Sequence, residues 1–156
     1  MKNTHVQKGI TLIEVLLVVF IIGLLCAVVS YGFSALRKQQ MLLVNRDLVV
    51  SVLSKAKADT LASVNSKAYG VHFDMSGSNT MTIFEAPTYV AGAPSNQVYS
   101  LTDQARFTSF AGSDTKTVVF ARLTGHVPVF SSVSIGTVAG DSTTVYVARS
   151  GIISYN

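Results

Sequence analysis

One carboxylate stands alone in the apolar N-terminal quarter of this sequence. Glu14 is the only charged residue between Ile10 and Leu36, a run that reads ITLIEVLLVVFIIGLLCAVVSYGFSAL. A carboxylate at mid-membrane costs up to ~3 kcal/mol, and less near the end of a span. Such a residue is read first as functional, with a partner to be named. Cleavage between Gly9 and Ile10 would supply one, a new amine at Ile10 four positions before Glu14. On a helix, i and i+4 share a face, and an acid in the first turn suits the positive helix end. The expected chemistry is neutralisation of a carboxylate by an amine in an apolar setting, within one chain or between neighbours.

The rest of the chain offers little else that reacts. His5, His72 and His126 are far apart. His72 reads as a half-buried strand residue and His126, beside Gly125, as a solvated turn residue. Asp74, Asp103, Asp114 and Asp141 sit in turn-like contexts, where Asp satisfies the local backbone. No nucleophile elbow, phosphate-binding loop or H-E-x-x-H pattern is present. The single cysteine, Cys26, excludes a disulfide framework and a Cys-based zinc site. No enzyme activity, cofactor or metal is expected.

The elements that would position Glu14 follow from length and composition. With 156 residues, the chain has room for one ordinary domain. It is 49% hydrophobic and 13% charged, about half the roughly 25% charge usual in soluble domains. That composition excludes disorder. The pI of 9.3 hints at a polyanionic partner. Lys2 and Lys8, however, lie ahead of the apolar run, and without them ten basic residues face eight acidic ones.

From Val15 to Leu36 there is no charge, and ~20 such residues cross a bilayer as a helix. Arg37 and Lys38 close the run, so charge flanks both ends and does not fix the orientation. A cleaved secretory signal would have a core of about 7–15 residues and small residues at the cut. This run is too long for that, and Leu24-Leu25 before Cys26 does not suit a lipoprotein signal.

Lys8-Gly9-Ile10-Thr11-Leu12-Ile13-Glu14, followed by about twenty apolar residues, closely resembles the class III signal of type IV pilins and pseudopilins. The resemblance implies that a prepilin peptidase cuts after Gly9 on the cytoplasmic side and methylates Ile10. It makes Glu14 the carboxylate that assists entry into a filament. It also implies an inner-membrane, single-pass protein with its C-terminal domain outside the cytoplasm, handed to an assembly platform and then to a filament. Two departures stand out. The first mature residue is Ile10 rather than the usual Phe or Met, and no proline interrupts the span. Gly23 and Gly32 are its weak points, and Gly23 with Ala27 makes a small-xxx-small pair.

Beyond Leu36 the helical pattern continues. Met41, Val44, Leu48, Val52 and Ala56, with Leu42, Val49 and Leu53 beside them, predict an amphipathic helix to about Ser63. Joined to the span, this gives one helix of some 50 residues, roughly 80 Å long. From Ala68 the period becomes two. Strands are predicted at Tyr69–Phe73 and Met81–Glu85, a hairpin around Asp74–Thr80, then at Val98–Leu101, Arg106–Phe110 and Thr117–Leu123. Further strands are predicted at His126–Phe130, Val133–Val138, Thr143–Arg149 and Gly151–Tyr155. The expected fold is α+β: a long N-terminal helix, membrane-spanning in its first half, packed on an antiparallel β-sheet domain. The expected divisions are a leader at 1–9, a span at 10–36, the helix continuation at 37–64 and the sheet domain at 65–156.

The order of these elements resembles the GspH/FimT type of minor pilin and pseudopilin. The resemblance rests on the Tyr69-Gly70-Val71 strand, Phe120-Ala121-Arg122-Leu123-Thr124-Gly125, and the closing hairpin around Val145 to Ile153. It implies a structural subunit of a type II secretion pseudopilus or a type IV pilus, with other subunits as partners through the N-terminal helix. Some FimT-type members bind DNA through a C-terminal Gly-Arg-x-Arg stretch. The matching stretch here, Gly151-Ile152-Ile153-Ser154, has no arginine. The alternative of a DNA-binding subunit would therefore rest on Arg149, Arg122, Lys116 and Arg106, because phosphate contacts need clustered cations.

Overall fold

The computed structural model describes residues 11–102, 104–113, 115–137 and 140–156, with the course of the backbone alone at 31–36. Helix α1 spans Leu12–Leu61. Thr11 opens it as an N-cap: its Oγ1 accepts the Glu14 N–H at 3.3 Å, and its carbonyl accepts the Val15 N–H at 3.3 Å. The chain divides into two units, residues 1–37 and 38–156. In the first, Leu12–Ser30 is apolar and long enough to cross a membrane, and none of it is buried. Ser30 hides its hydroxyl in the helix by donating to the Cys26 carbonyl at 2.8 Å.

In the second unit, the buried face of α1 runs through Asn45, Val49, Val52, Leu53, Ala56 and Thr60, at the three- and four-residue steps of one helix face. Val44, expected on this stripe, is 59% exposed, and the buried position beside it is the polar Asn45. Asn45 is tolerated because its whole amide is used. Nδ2 donates to the Met41 carbonyl and to Thr102 Oγ1, both at 2.8 Å, and Oδ1 accepts the Thr102 N–H at 3.0 Å. The helix stops at Leu61 rather than near Ser63. Ser63, Asn65 and Ser66 adopt left-handed φ of 48°, 50° and 58°, with a 3₁₀ turn at Val64–Ser66. Buried Thr60 closes the corner, donating to the Ala56 carbonyl at 2.7 Å and accepting the Tyr69 N–H at 2.9 Å.

Eight strands follow: β1 Tyr69–Asp74, β2 Thr80–Glu85, β3 Gln97–Ser100, β4 Ala105–Ala111, β5 Thr117–Val119, β6 Ser131–Thr137, β7 Ser142–Val147 and β8 Ile153–Tyr155. They form the expected antiparallel domain as two sheets, β3-β2-β1-β5 and β4-β6-β7-β8. The predicted hairpin is β1–β2, paired from Tyr69 opposite Glu85 to Asp74 opposite Thr80. Val71, Phe73, Met81 and Ile83 of the first sheet share one buried cluster with Phe107, Val133, Ile135, Val145 and Val147 of the second. Val49, Val52, Leu53 and Ala56 of α1 complete it.

Two strand expectations are corrected. The strand predicted at Thr117–Leu123 ends at Val119, and the one at His126–Phe130 does not form. After the Phe120 N–H bonds the Tyr69 carbonyl, the chain turns back on itself. The Ala121 N–H donates to the His126 carbonyl at 2.7 Å, the Gly125 N–H donates to the Ala121 carbonyl at 2.8 Å, and Leu123 has φ of 69°. Pro128 then lacks the N–H that a ladder needs, which defeats the alternating His126–Phe130 pattern. Val138, predicted to end the β6 strand, lies outside the described residues. One residue ties the sheets together. Asn79, at φ 47° in the β1–β2 turn, accepts the Leu101 N–H on its carbonyl and the Phe107 N–H of β4 on its Oδ1, each at 3.1 Å.

Candidate functional site

Glu14 occupies the third helical position, one turn in from the Thr11 cap. Thr11-Leu12-Ile13-Glu14 has the residue types of a capping box, and the threonine half of it is formed. The acid therefore sits at the positive end of the helix, where a negative charge is favoured. Gly9 and Ile10, the expected cleavage pair, lie outside the described residues, as do the rest of the 1–9 leader and His5. The side chains around Glu14 turn outward, uncovered by the other described residues: Leu12 is 82% exposed and Phe20 68%. Val15, Leu16 and Val19 are also exposed. A stripe this apolar needs lipid or other helices to cover it.

The four cations named for DNA contact are not all on one surface: Arg106 is far from Arg149 and Lys116 from Arg122, whereas Arg149 shares a pocket with Ala121, the neighbour of Arg122. Arg106 lies opposite Gly136, which in turn faces Ser142. Arg149 follows β7 beyond Val147, which faces Ser131 at the other end of β6. At about 3.3 Å per residue, more than five positions of strand separate the two. Lys116, at φ 53°, sits in the turn before β5, where its carbonyl accepts the Phe73 N–H. Arg122 follows β5 at its other end, and its Nε donates to Ser63 Oγ at 3.1 Å.

His72 is half-buried on β1, as its strand position suggested, and His126 is exposed beside Gly125. Burial pushes the His72 imidazole below its ordinary 6.5, against the opposing pull of Asp74, and Lys116 acts in the same direction as burial. Asp74 anchors its turn. It accepts the Ser76 hydroxyl at 2.5 Å and the Ser76 N–H at 2.9 Å on Oδ1, and the Ser78 hydroxyl on Oδ2. These donors, the Ser76 and Ser78 hydroxyls foremost, lower its carboxyl to about 2. Asp103 and Asp114 lie outside the described residues. Among the described residues, no group of three or more His, Cys, Asp or Glu could hold a metal ion.

Sequence reasoning missed Asn45, Asn79 and Lys57. The first two read as ordinary helix and turn asparagines. Lys57 reads as a solvated charge, yet its Nζ donates to the Gly151 carbonyl at 2.9 Å. No local signal marks such partners, because they lie 57, 28 and 94 residues away.

Comparison with known proteins bears on both ends of the chain. The family profile for the prokaryotic N-terminal methylation motif matches residues 4–30. A search of curated protein sequences finds no match. Among solved structures, the chain is similar to the minor pseudopilin EpsH from the type 2 secretion system of Vibrio cholerae. That likeness has 12% identity and a TM-score of 0.56, and covers 74% of this chain and 95% of that one. It is similar also to the type IV minor pilin FimU of Pseudomonas aeruginosa, at 12% identity and TM-score 0.59, covering 76% of this chain and 90% of that one. The chain thus carries the prokaryotic N-terminal methylation motif, and its α+β fold is pilin-like.

Proposed function

We propose that this chain is a structural filament subunit, a minor pilin or pseudopilin of a type II secretion pseudopilus or a type IV pilus, with no catalytic role. The observation that carries the reading is the placement of Glu14. It lies one turn inside a helix capped at Thr11, within the matched methylation motif, at the head of an apolar stripe that no other described residue covers. In this reading the leader stays in the cytoplasm, and prepilin peptidase cuts between Gly9 and Ile10 and methylates the Ile10 amine. The helix waits in the inner membrane with its folded domain outside. An assembly platform then moves it into a bundle of other subunits' helices. There Glu14 meets an Ile10 amine, its own or a neighbour's, which removes a charge that would be costly to bury alone.

Gly9→Val and Glu14→Ala test this in cells with the assembly machinery. Both variants are expected in the membrane fraction and absent from sheared filaments. The wild type should carry N-methylated Ile10 as its first residue by mass spectrometry. Incorporation of both variants at the wild-type level would sink the reading. A DNA-binding subunit is the alternative, and the separation of Arg106 from Arg149 and of Lys116 from Arg122 weighs against a single four-cation surface.

A further inference from the structure

The outward face of the first sheet carries a cleft of about 450 Å³ for which the filament reading has no use. Its floor is made by the residues of β1 and β2 that point away from the core. Phe84 lies opposite Gly70, where a Cβ would come within 2.8 Å of the phenyl ring, so the glycine lets the ring lie on the sheet. Next to it is His72. From the loop after β2, Tyr89 folds back and stacks on His72 with ring centroids 3.9 Å apart and planes 12° apart. The same ring meets Phe84 edge-on at 5.5 Å. Thr88 stands beside Tyr89, and the far wall is Thr117 of β5 with Thr115 in the turn before it. Thr115 and Thr117 point their hydroxyls at one another, 2.6 Å apart.

The chemistry of this lining is narrow. No charged side chain lines it among the described residues. His72 Nδ1 is shut away from water without a hydrogen-bond partner, which disfavours the charged imidazole. The Thr88 hydroxyl offers one donor and two acceptor positions, while the Thr115 and Thr117 hydroxyls, bonded to one another, keep spare acceptor positions. The rings of Tyr89 and Phe84 supply apolar walls. The volume lies in the range of small-molecule sites, with a few convergent polar groups on an aromatic frame. The charges that act on His72, Asp74 and Lys116, are of opposite sign and neither lines the cleft, so an ion finds no net counter-charge, and a plain aromatic side chain would leave the polar wall unmatched. A ring carrying several hydroxyls fits both features.

We propose that this cleft binds a neutral hydroxylated ring, one hexose unit of a glycan, lying against Tyr89 with its hydroxyls on Thr88, Thr115 and Thr117. This stands independently of the filament reading. The test uses the full isotope-labelled chain in micelles of a phosphocholine detergent, which has no sugar headgroup. Glucose, galactose, N-acetylglucosamine and the phenolic control p-cresol are titrated in, each followed at the rings of His72 and Tyr89 and the Thr117 methyl. At least one sugar should shift these signals saturably, with a midpoint in the millimolar range. Tyr89→Ala should weaken it about tenfold and Thr117→Val severalfold. Val98→Ala, exposed on the same sheet face, should leave it unchanged. Unmoved core methyl signals certify that the variants are folded. No saturable shift with any sugar up to about 50 mM overturns the proposal. So does saturation by p-cresol alone, or binding that both cleft variants leave intact.

Discussion

The carbonyl oxygen of Gly125 lies 2.0 Å from where a Cβ on Gly151 would stand. The turn after β7 and the loop after β5 therefore cross at backbone contact, and only glycine permits it. Gly151 also has φ of 76°, a region that side chains disfavour. Beneath the crossing runs the stem of Lys57, whose Cε would be 3.4 Å from the same Cβ while its ammonium holds the Gly151 carbonyl. Gly151→Ala should destabilise the folded domain by about 3 kcal/mol, from strain and clash together. Gly77→Ala is the comparison. It too has positive φ, but nothing lies within 4 Å, so its loss should be nearer ~1 kcal/mol. Urea unfolding of residues 38–156, which hold the whole buried cluster, measures both. Equal losses would refute the crossing as the cause.

Asn45→Ala should cost about 2 kcal/mol in the same assay, because it empties a fully buried position and removes the amide that bonds Met41 and Thr102. Val44→Ala, one position away and mostly exposed, should change stability by less than about 0.5 kcal/mol. If the two substitutions cost the same, Asn45 is not a clamp between α1 and the segment before β4.

Among the described residues, Asp74 and His72 have shifted pKa values that tie stability to pH. Asp74 has its pKa lowered from 3.8 to about 2, so the stability it contributes is present above 3.8 and lost as pH falls towards 2. Asp74→Asn should flatten the unfolding curve against pH in that window. His72 is lowered from 6.5, so the unfolded chain takes up its proton first, and stability drops as pH falls below 6.5. The pH dependence of the melting temperature between 7 and 5 should shrink in His72→Phe. A slope that survives that substitution would place the titrating group elsewhere.

Binding to double-stranded DNA should be weak and only shallowly dependent on salt. Each phosphate contact adds about 0.9 to the salt slope, and the loop beside Arg149 brings only Arg122 of the other three near it. Arg149→Ala should alter the apparent affinity of residues 38–156 by less than about threefold. Tight binding at low salt that disappears in this variant would reverse the conclusion and favour the DNA-binding alternative.

What could be read in the sequence was periodic or local. The helix shows in three- and four-residue steps, the β1–β2 hairpin in alternation around a serine-rich turn, and the processing signal in seven adjacent residues. What escaped depended on partners far along the chain. Asn45 at a core position looks like an error until Thr102 is brought to it. The loop from Phe120 to Phe130 alternates like a strand, yet Pro128 and the positive φ of Leu123 take it out of the ladder. The division into two sheets follows from the pairing of β4 with β6 rather than with β3, which no nearby residue encodes. The His72 cleft needed Tyr89 to return over β1, a contact made by a loop without periodicity.

The bond from the Phe107 N–H to Asn79 has a meaning beyond holding two sheets together. β4 is an outer strand, and the backbone groups of such a strand invite pairing by any other extended chain, the route to uncontrolled aggregation. Asn79 takes up an amide on that open side, and the irregular register between Phe107 and Ser109 bends the strand just beyond it. For a chain read here as joining its neighbours through a helix, this blunted border keeps edge-to-edge stacking of sheets from competing with ordered growth.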